Sequence, residues 1–542
     1  MRFLKSNSEL LVQQSDQSFV IDLAGSPDAD GKPPHYTLAT GKMSKEMAVS
    51  LMSHSGVISL LEKLKGESGN GLNIIADNVP FVDFFHVYLA PRKNLKEGEE
   101  VWSKPGNATD GLVQLSLDGG HDVAWSEDGK KVFWFLGPYL HSLEVSKLSK
   151  CASTIRKDHL TFGIDCVKNI LEYQEIIVEH TTNISRLKKD AASTTLHPEP
   201  DLLVLYNATL LTMETGELEK DLIREAILVI QGGIITTAAA LSSVVIPTEA
   251  TVIDMHGATI MPGFFDLHAY WNGFDNPIPA KSWEMETFLA FGVTTLHKYI
   301  YIRSPMCMSF THLRVKRGHF VGPRIFQVGD VIYGMGDPGY HQDIVDMDEA
   351  RSALIRIKVE GGPISTRLMF ITSSASQQRL LLAARNLSML CVPEGSMNYD
   401  WDLTYILDGM TTVEHAIPVP TLYDDVLILY TKSGTGASPT HLVNYGGAFG
   451  EQFVWATEDV PNDLNRLRKP WSSYALFNTS ASVAKIVHMG LKTHIGAHGE
   501  PPLGLNYHAE MFFTQQGGLS NYEVYKAATL NVAQMLGIFS GI

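Results

Sequence analysis

The hydrophobic and polar positions divide the chain into two regimes. Up to residue 150 the apolar runs are short, often alternate with period two, and are broken by turn residues. That is the pattern of half-buried antiparallel strands. It is clearest in VQLSLDGGHDVAWSEDGKKVFWFLG (113–137), where HDVAWS and KKVFWFL flank Asp128-Gly129, a hairpin signal. Beyond residue 200, apolar strand-like segments alternate with helix-like ones. Strands are expected at 262–268, 293–297, 323–328, 364–370, 389–393, 411–415, 437–443 and 492–497, and helices at 347–360, 376–387 and 479–489 among others. This βα repetition predicts an α/β chain carrying a (β/α)8 TIM-like barrel. In such a barrel the residues just past the C-terminal strand ends build the active site. Asp266, His268, Glu394, His415 and His498 all fall at or just beyond such ends.

A chain of 542 residues is long enough for two or three domains. The pattern divides it into a partial β-propeller-like region (1–150), a connecting region (151–200), a β-sandwich portion (201–260) and the barrel (261–542). An irregular all-β accessory domain is the alternative for 1–150. The formal charge of −16 argues against nonspecific binding to nucleic acid or anionic membrane. Neither a membrane span nor a signal-peptide pattern is legible, so a cytoplasmic protein is expected. The four cysteines, Cys151, Cys166, Cys307 and Cys391, form no CxxC pair and do not read as a disulfide framework.

Several segments together resemble the amidohydrolase superfamily. They are VIDMHGATIMPGFFDLHAY (252–270), FLAFGVTTLHKY (288–299), DGMTTVEHAIPV (408–419), IGAHGEPPLGLNYHAEM (495–511) and GGLSNYEVYKAATLNVAQMLG (517–537). The 119–136 hairpin makes the subgroup with N-terminal TolB-like β-propeller repeats the one most resembled. The resemblance implies a barrel beside a small β-sandwich domain, and a chain shortened at both ends relative to that subgroup. It implies a metal-dependent hydrolase of carbon–nitrogen bonds in an amide, cyclic amide or peptide-like small molecule. A divalent metal, zinc foremost, would be the cofactor; an oligomer is compatible with this reading.

Carried over residue by residue, the resemblance makes His268, Glu394, His415 and His498 the metal ligands. His498 and Asp266 become the catalytic candidates, Asp266 alternatively orienting His268 or its turn. Two positions depart from the pattern. Tyr270 stands where a second histidine is expected, and a neutral phenol is a poorer zinc ligand than imidazole. Arg367 stands at the fourth-strand ligand position, and a guanidinium is fixed positive. The alternative function is therefore a catalytically impaired or inactive relative acting as a binding or scaffold protein, with Arg367 paired to Glu394 or Asp266. His297, His441, His508 and Glu510 are further candidates, each with a bland alternative as a packed, capping or half-exposed residue.

Overall fold

The computed structural model describes residues 78–175, 202–270, 282–298, 320–444 and 470–538, with short breaks, and the backbone of strands between residues 2 and 38. The chain divides into two compact units, the first within residues 1–177 and the second within 178–273 and 279–542.

In the first unit, strands Asn78–Asp83, His86–Pro91 and Val113–Gln114 form an antiparallel sheet. A second antiparallel sheet runs in the order Glu172–Glu175, Tyr139–Glu144, Lys131–Leu136, His121–Trp125. The hairpin expected around 119–136 is present, with Trp125 paired to Val132 and Gly129 at φ 67° in its turn. Asp128 lies outside the described residues. The period-two pattern of Lys131–Leu136 buries Val132, Trp134 and Leu136, and the first two pack with Val87, Leu89 and Leu115. The cysteine reading needs a correction: Cys151 and Cys166, 15 residues apart, are joined by a disulfide. No spacing motif announces the pair. A turn between two short helices brings them together, held by Asp158, which accepts from the backbone N–H groups of Thr161 and Gly163 at 2.9 Å each.

The second unit opens with a five-stranded sheet. Its order is Ile234–Ala240, Leu222–Gln231, Leu202–Leu211, Thr251–Asp254, with Thr259–Ile260 also pairing to Leu202–Leu211. The rest is parallel β-structure with helices between strands. Phe264–Ala269 pairs in parallel with Val293–Lys298, which pairs with Arg324–Gln327. Ile332–Tyr333, Ser365–Met369 and Leu390–Pro393 form a second parallel set. Thr412–Glu414 and Gly436–Ser438 form a third. Parallel bridges Glu394–Glu414 and Ala437–Thr493 continue the pairing, and Leu267 N–H donates to Ile495 at 3.0 Å.

Most strand positions match the expected ones to within two residues, and the helix expected at 479–489 runs Pro470–His488. The strand expected over 492–497 is reduced to a single bridge at Thr493. The strand expected over 437–443 instead ends at Ser438, and His441–Asn444 is helical. Pro439 cannot donate to a sheet ladder, and the buried Glu510 carboxylate accepts the N–H groups of His441 and Leu442 at 2.8 and 2.9 Å. The largest core cluster joins the apolar faces of helices Met347–Glu360, Ser374–Asn386, Tyr399–Asp408 and Asp424–Ser433 to strand residues Cys391, Val413 and Ala437. Arg367 lies in the Ser365–Met369 strand, but its side chain falls outside the described residues, as does any pairing it makes. Among the described residues no helix is long and apolar enough to cross a membrane.

Candidate metal centre

The entry strand Phe264–Ala269 follows Pro262-Gly263, and a residue larger than glycine would not fit at 263. A Cβ at Gly263 would lie 2.2 Å from the Thr294 hydroxyl. The strand is buried along almost its whole length, so its polar residues must find partners inside the protein. Asp266 does so through Oδ1, which accepts the backbone N–H groups of His268 and Ala497 at 3.1 Å each. It thereby ties the entry strand to the segment carrying His498, whose own N–H donates to the His268 carbonyl at 2.7 Å. The two segments approach closely at Gly496, where a Cβ would meet the Cβ of His268 at 2.5 Å. Burial pushes the Asp266 carboxyl up to about 7, although the two N–H groups pull it down.

The structure brings together all four expected ligands. One ligand atom from each of His268, Glu394, His415 and His498 lies within 4.8 Å of the others. His415 Nε2 is 2.7 Å from Glu394 Oε1, and His498 Nε2 is 3.8 Å from the same oxygen. The rings of His268, His415 and His498 stand 5.0 to 5.1 Å apart, centroid to centroid. Three imidazoles and a carboxylate are a donor set that a single zinc accepts. The residues present therefore fit a divalent metal, and this cluster counts against the reading of a degenerate site.

Each histidine also has an oxygen partner on its other ring nitrogen. His268 Nδ1 is 2.9 Å from Glu414 Oε2, His415 Nδ1 contacts the Thr440 hydroxyl, and His498 Nδ1 is 3.4 Å from Glu500. Metal-binding histidines need such partners to fix their tautomer and orientation. Glu414, Thr440 and Glu500 were not singled out from the sequence. In an extended strand consecutive side chains point to opposite faces, so Glu414 and His415 should diverge. Both nevertheless reach His268, because His415 takes a left-handed backbone conformation (φ 71°). Thr440 (φ 42°) and His498 (φ 60°) share that conformation. Only the adjacency of Glu414 to a candidate ligand could have pointed to it.

The other candidates separate. Tyr270 is nearly buried, with its ring edge-on to His498 at 4.6 Å and tilted against His268 at 5.4 Å. His297 is buried and holds the Leu267 carbonyl through Nδ1 at 3.0 Å, a packing role. His508 Nε2 donates to the Phe291 carbonyl at 2.8 Å. His441 is fully buried, which pushes its pKa down to about 3 and keeps it neutral. Glu510 is fully buried rather than half-exposed, and that burial pushes it up to about 8.

No family model matches this chain, and no curated protein does. Among solved structures, a Xaa-Pro dipeptidase with methionine bound in its active site aligns at 18% identity and TM-score 0.47, over 62% of this chain and 89% of that one. An amidohydrolase aligns at 20% identity and TM-score 0.49, over 62% and 87%. The ochratoxinase of A. niger aligns at 18% identity and TM-score 0.45, over 62% and 85%. Likeness at this level assigns neither substrate nor activity to the chain.

Proposed function

We propose that this chain is a metal-dependent hydrolase of carbon–nitrogen bonds, acting on an amide, cyclic amide or small peptide-like molecule at a mononuclear site. The observation that carries the reading is the convergence of His268, Glu394, His415 and His498. These four would hold the ion, with zinc the metal that suits them best. A bound dication lowers the pKa of a water and polarises a carbonyl.

The chain's own groups supply the rest. His498, 18% exposed and backed by Glu500 on Nδ1, is the most accessible of the four and would present Nε2 to the ion. Asp266, with both backbone N–H bonds on one oxygen, holds the His268 and His498 segments in register. Tyr270, packed against His268 and His498, takes the place of the second histidine of the entry-strand pair, and the imidazole it removes favours one ion over two.

The fold reading that accompanies this is a closed (β/α)8 barrel. The succession of parallel pairs and bridges from Phe264 through Thr493, and the return bond from Leu267 to Ile495, support it. The mixed sheet of 202–260 supports a β-sandwich portion, and the four-stranded antiparallel sheet formed within residues 121–175 supports a propeller-like blade.

The test is elemental analysis of protein purified without chelator, beside His415→Ala. Near-stoichiometric zinc, lost in the variant, is expected, and an amide-hydrolase screen follows. Well-folded protein without metal would sink the reading and return the site to a metal-free binding pocket.

A further inference from the structure

We infer that Glu414 is the positioning residue of the metal centre: it fixes the proton of His268 on Nδ1, so that Nε2 is presented as a ligand. The inference rests on the metal-site reading above and adds to it a group outside the ligand set.

The geometry is specific. Glu414 and His268 side chains are both fully buried, and Nδ1 lies 2.9 Å from Oε2. The second carboxylate oxygen, Oε1, accepts the Thr412 hydroxyl at 2.6 Å. Thr412 and Glu414 sit two apart on one strand and so share a face. An ionised carboxylate is costly to bury unless it is paired and hydrogen-bonded, and these two donors engage both oxygens. The backbone beneath is held as well. Gly395 N–H donates to the Glu414 carbonyl at 2.7 Å, and a Cβ at Gly395 would come within 2.5 Å of that oxygen. The carboxylate is thus held by His268 and Thr412, and the backbone that carries it by Gly395.

Of the three outer partners, Glu414 alone is a fully buried carboxyl group. Thr440 is buried but offers only a hydroxyl, and the Glu500 carboxyl is 25% exposed at 3.4 Å from His498. An imidazole facing an anion through Nδ1–H is a stronger donor at Nε2. Glu394 and Glu414 bring two carboxylates to a site otherwise built of three imidazoles. Were the pair instead an imidazolium held by Glu414 for the fold alone, zinc would have to displace a proton that Glu414 stabilises, and E414Q would bind zinc no more weakly than wild type.

The experiment measures Zn2+ affinity by competition with a chromophoric chelator for wild type, Glu414→Gln and Thr412→Val. Proton and nitrogen NMR of 15N-histidine-labelled, zinc-loaded protein is recorded beside it. The expected result is a 10- to 100-fold weaker affinity in E414Q, the usual effect of losing such a partner. The far-downfield Nδ1–H resonance of His268 should move upfield or vanish, with a smaller change of the same sign in T412V. T412V carries the test if E414Q does not fold, since it keeps the carboxylate and removes only its hydroxyl partner. Unchanged affinity and an unchanged Nδ1–H resonance in folded variants of a zinc-binding wild type overturn the role of Glu414 alone. A wild type that takes up no zinc overturns the metal reading, and this role with it.

Discussion

Replacing Glu510 by glutamine should reverse the sign of its effect on stability as the pH rises. Glu510 is fully buried, accepts the N–H groups of His441 and Leu442, and has its pKa raised from 4.5 to about 8, chiefly by burial. Between those values the folded state holds a proton that the unfolded state has released. Stability therefore falls as pH climbs through this window, by about 1.36 kcal/mol per unit. Over the full window the charge costs on the order of 5 kcal/mol. Glutamine does not ionise, so the variant escapes that cost. Its amide can, however, accept only one of the two N–H groups through oxygen, and the other loses its acceptor, at about 1–3 kcal/mol. Glu510→Gln should thus be less stable than wild type near pH 4.5 and more stable above pH 8, with the curves crossing between about pH 5 and 7. Urea unfolding of chelator-treated protein at several pH values reads this directly. A stability difference that does not change with pH would refute the reasoning, because it would mean that Glu510 titrates alike in both states.

Other outcomes follow from the same geometry. Gly496→Ala would drive a methyl to 2.5 Å from the His268 Cβ. It should cost about 1–3 kcal/mol of stability as an overpacked site, and weaken zinc uptake, both measurable on one preparation. Asp221 behaves oppositely to Glu510. Burial raises its pKa, but hydrogen bonds from Tyr522, Thr215 and Gly216 outweigh that and leave it lowered. Its contribution is present above the ordinary aspartate range and lost as pH falls through the folded value. Asp221→Asn should therefore lower the melting temperature at pH 7, with the deficit shrinking below about pH 4.

Much of the parallel part of the fold was legible because its strands are short apolar runs separated by helical patterns. The helix Met347–Glu360 coincides with the one read from its periodicity. The four residues of the His/Glu cluster were legible because each lies at or near a strand end within a recognisable segment. What escaped the sequence depends on three-dimensional detail. Glu414 is hidden by strand alternation, which places it away from His415 until the left-handed turn at His415 undoes the rule. The strand ending at Ser438 was read too long, because the signal that stops it is partly remote: Glu510 lies 69 residues from His441. The Cys151–Cys166 disulfide was missed because its loop has no spacing signature, only a local turn centred on Asp158.

The left-handed residues of the site have a thermodynamic consequence. His415, Thr440 and His498 occupy a region that disfavours side chains with a Cβ, most of all the β-branched threonine. Such conformations cost of order 1–3 kcal/mol each and persist because the surrounding structure over-determines them. Glycine would relieve the strain at any of the three, yet would remove a ring or hydroxyl from the centre. Folding and site geometry therefore make opposed demands at three positions within one cluster. Variants chosen only for thermal robustness should drift toward glycine or asparagine there, and each gain in robustness would be matched by a loss of ion capture.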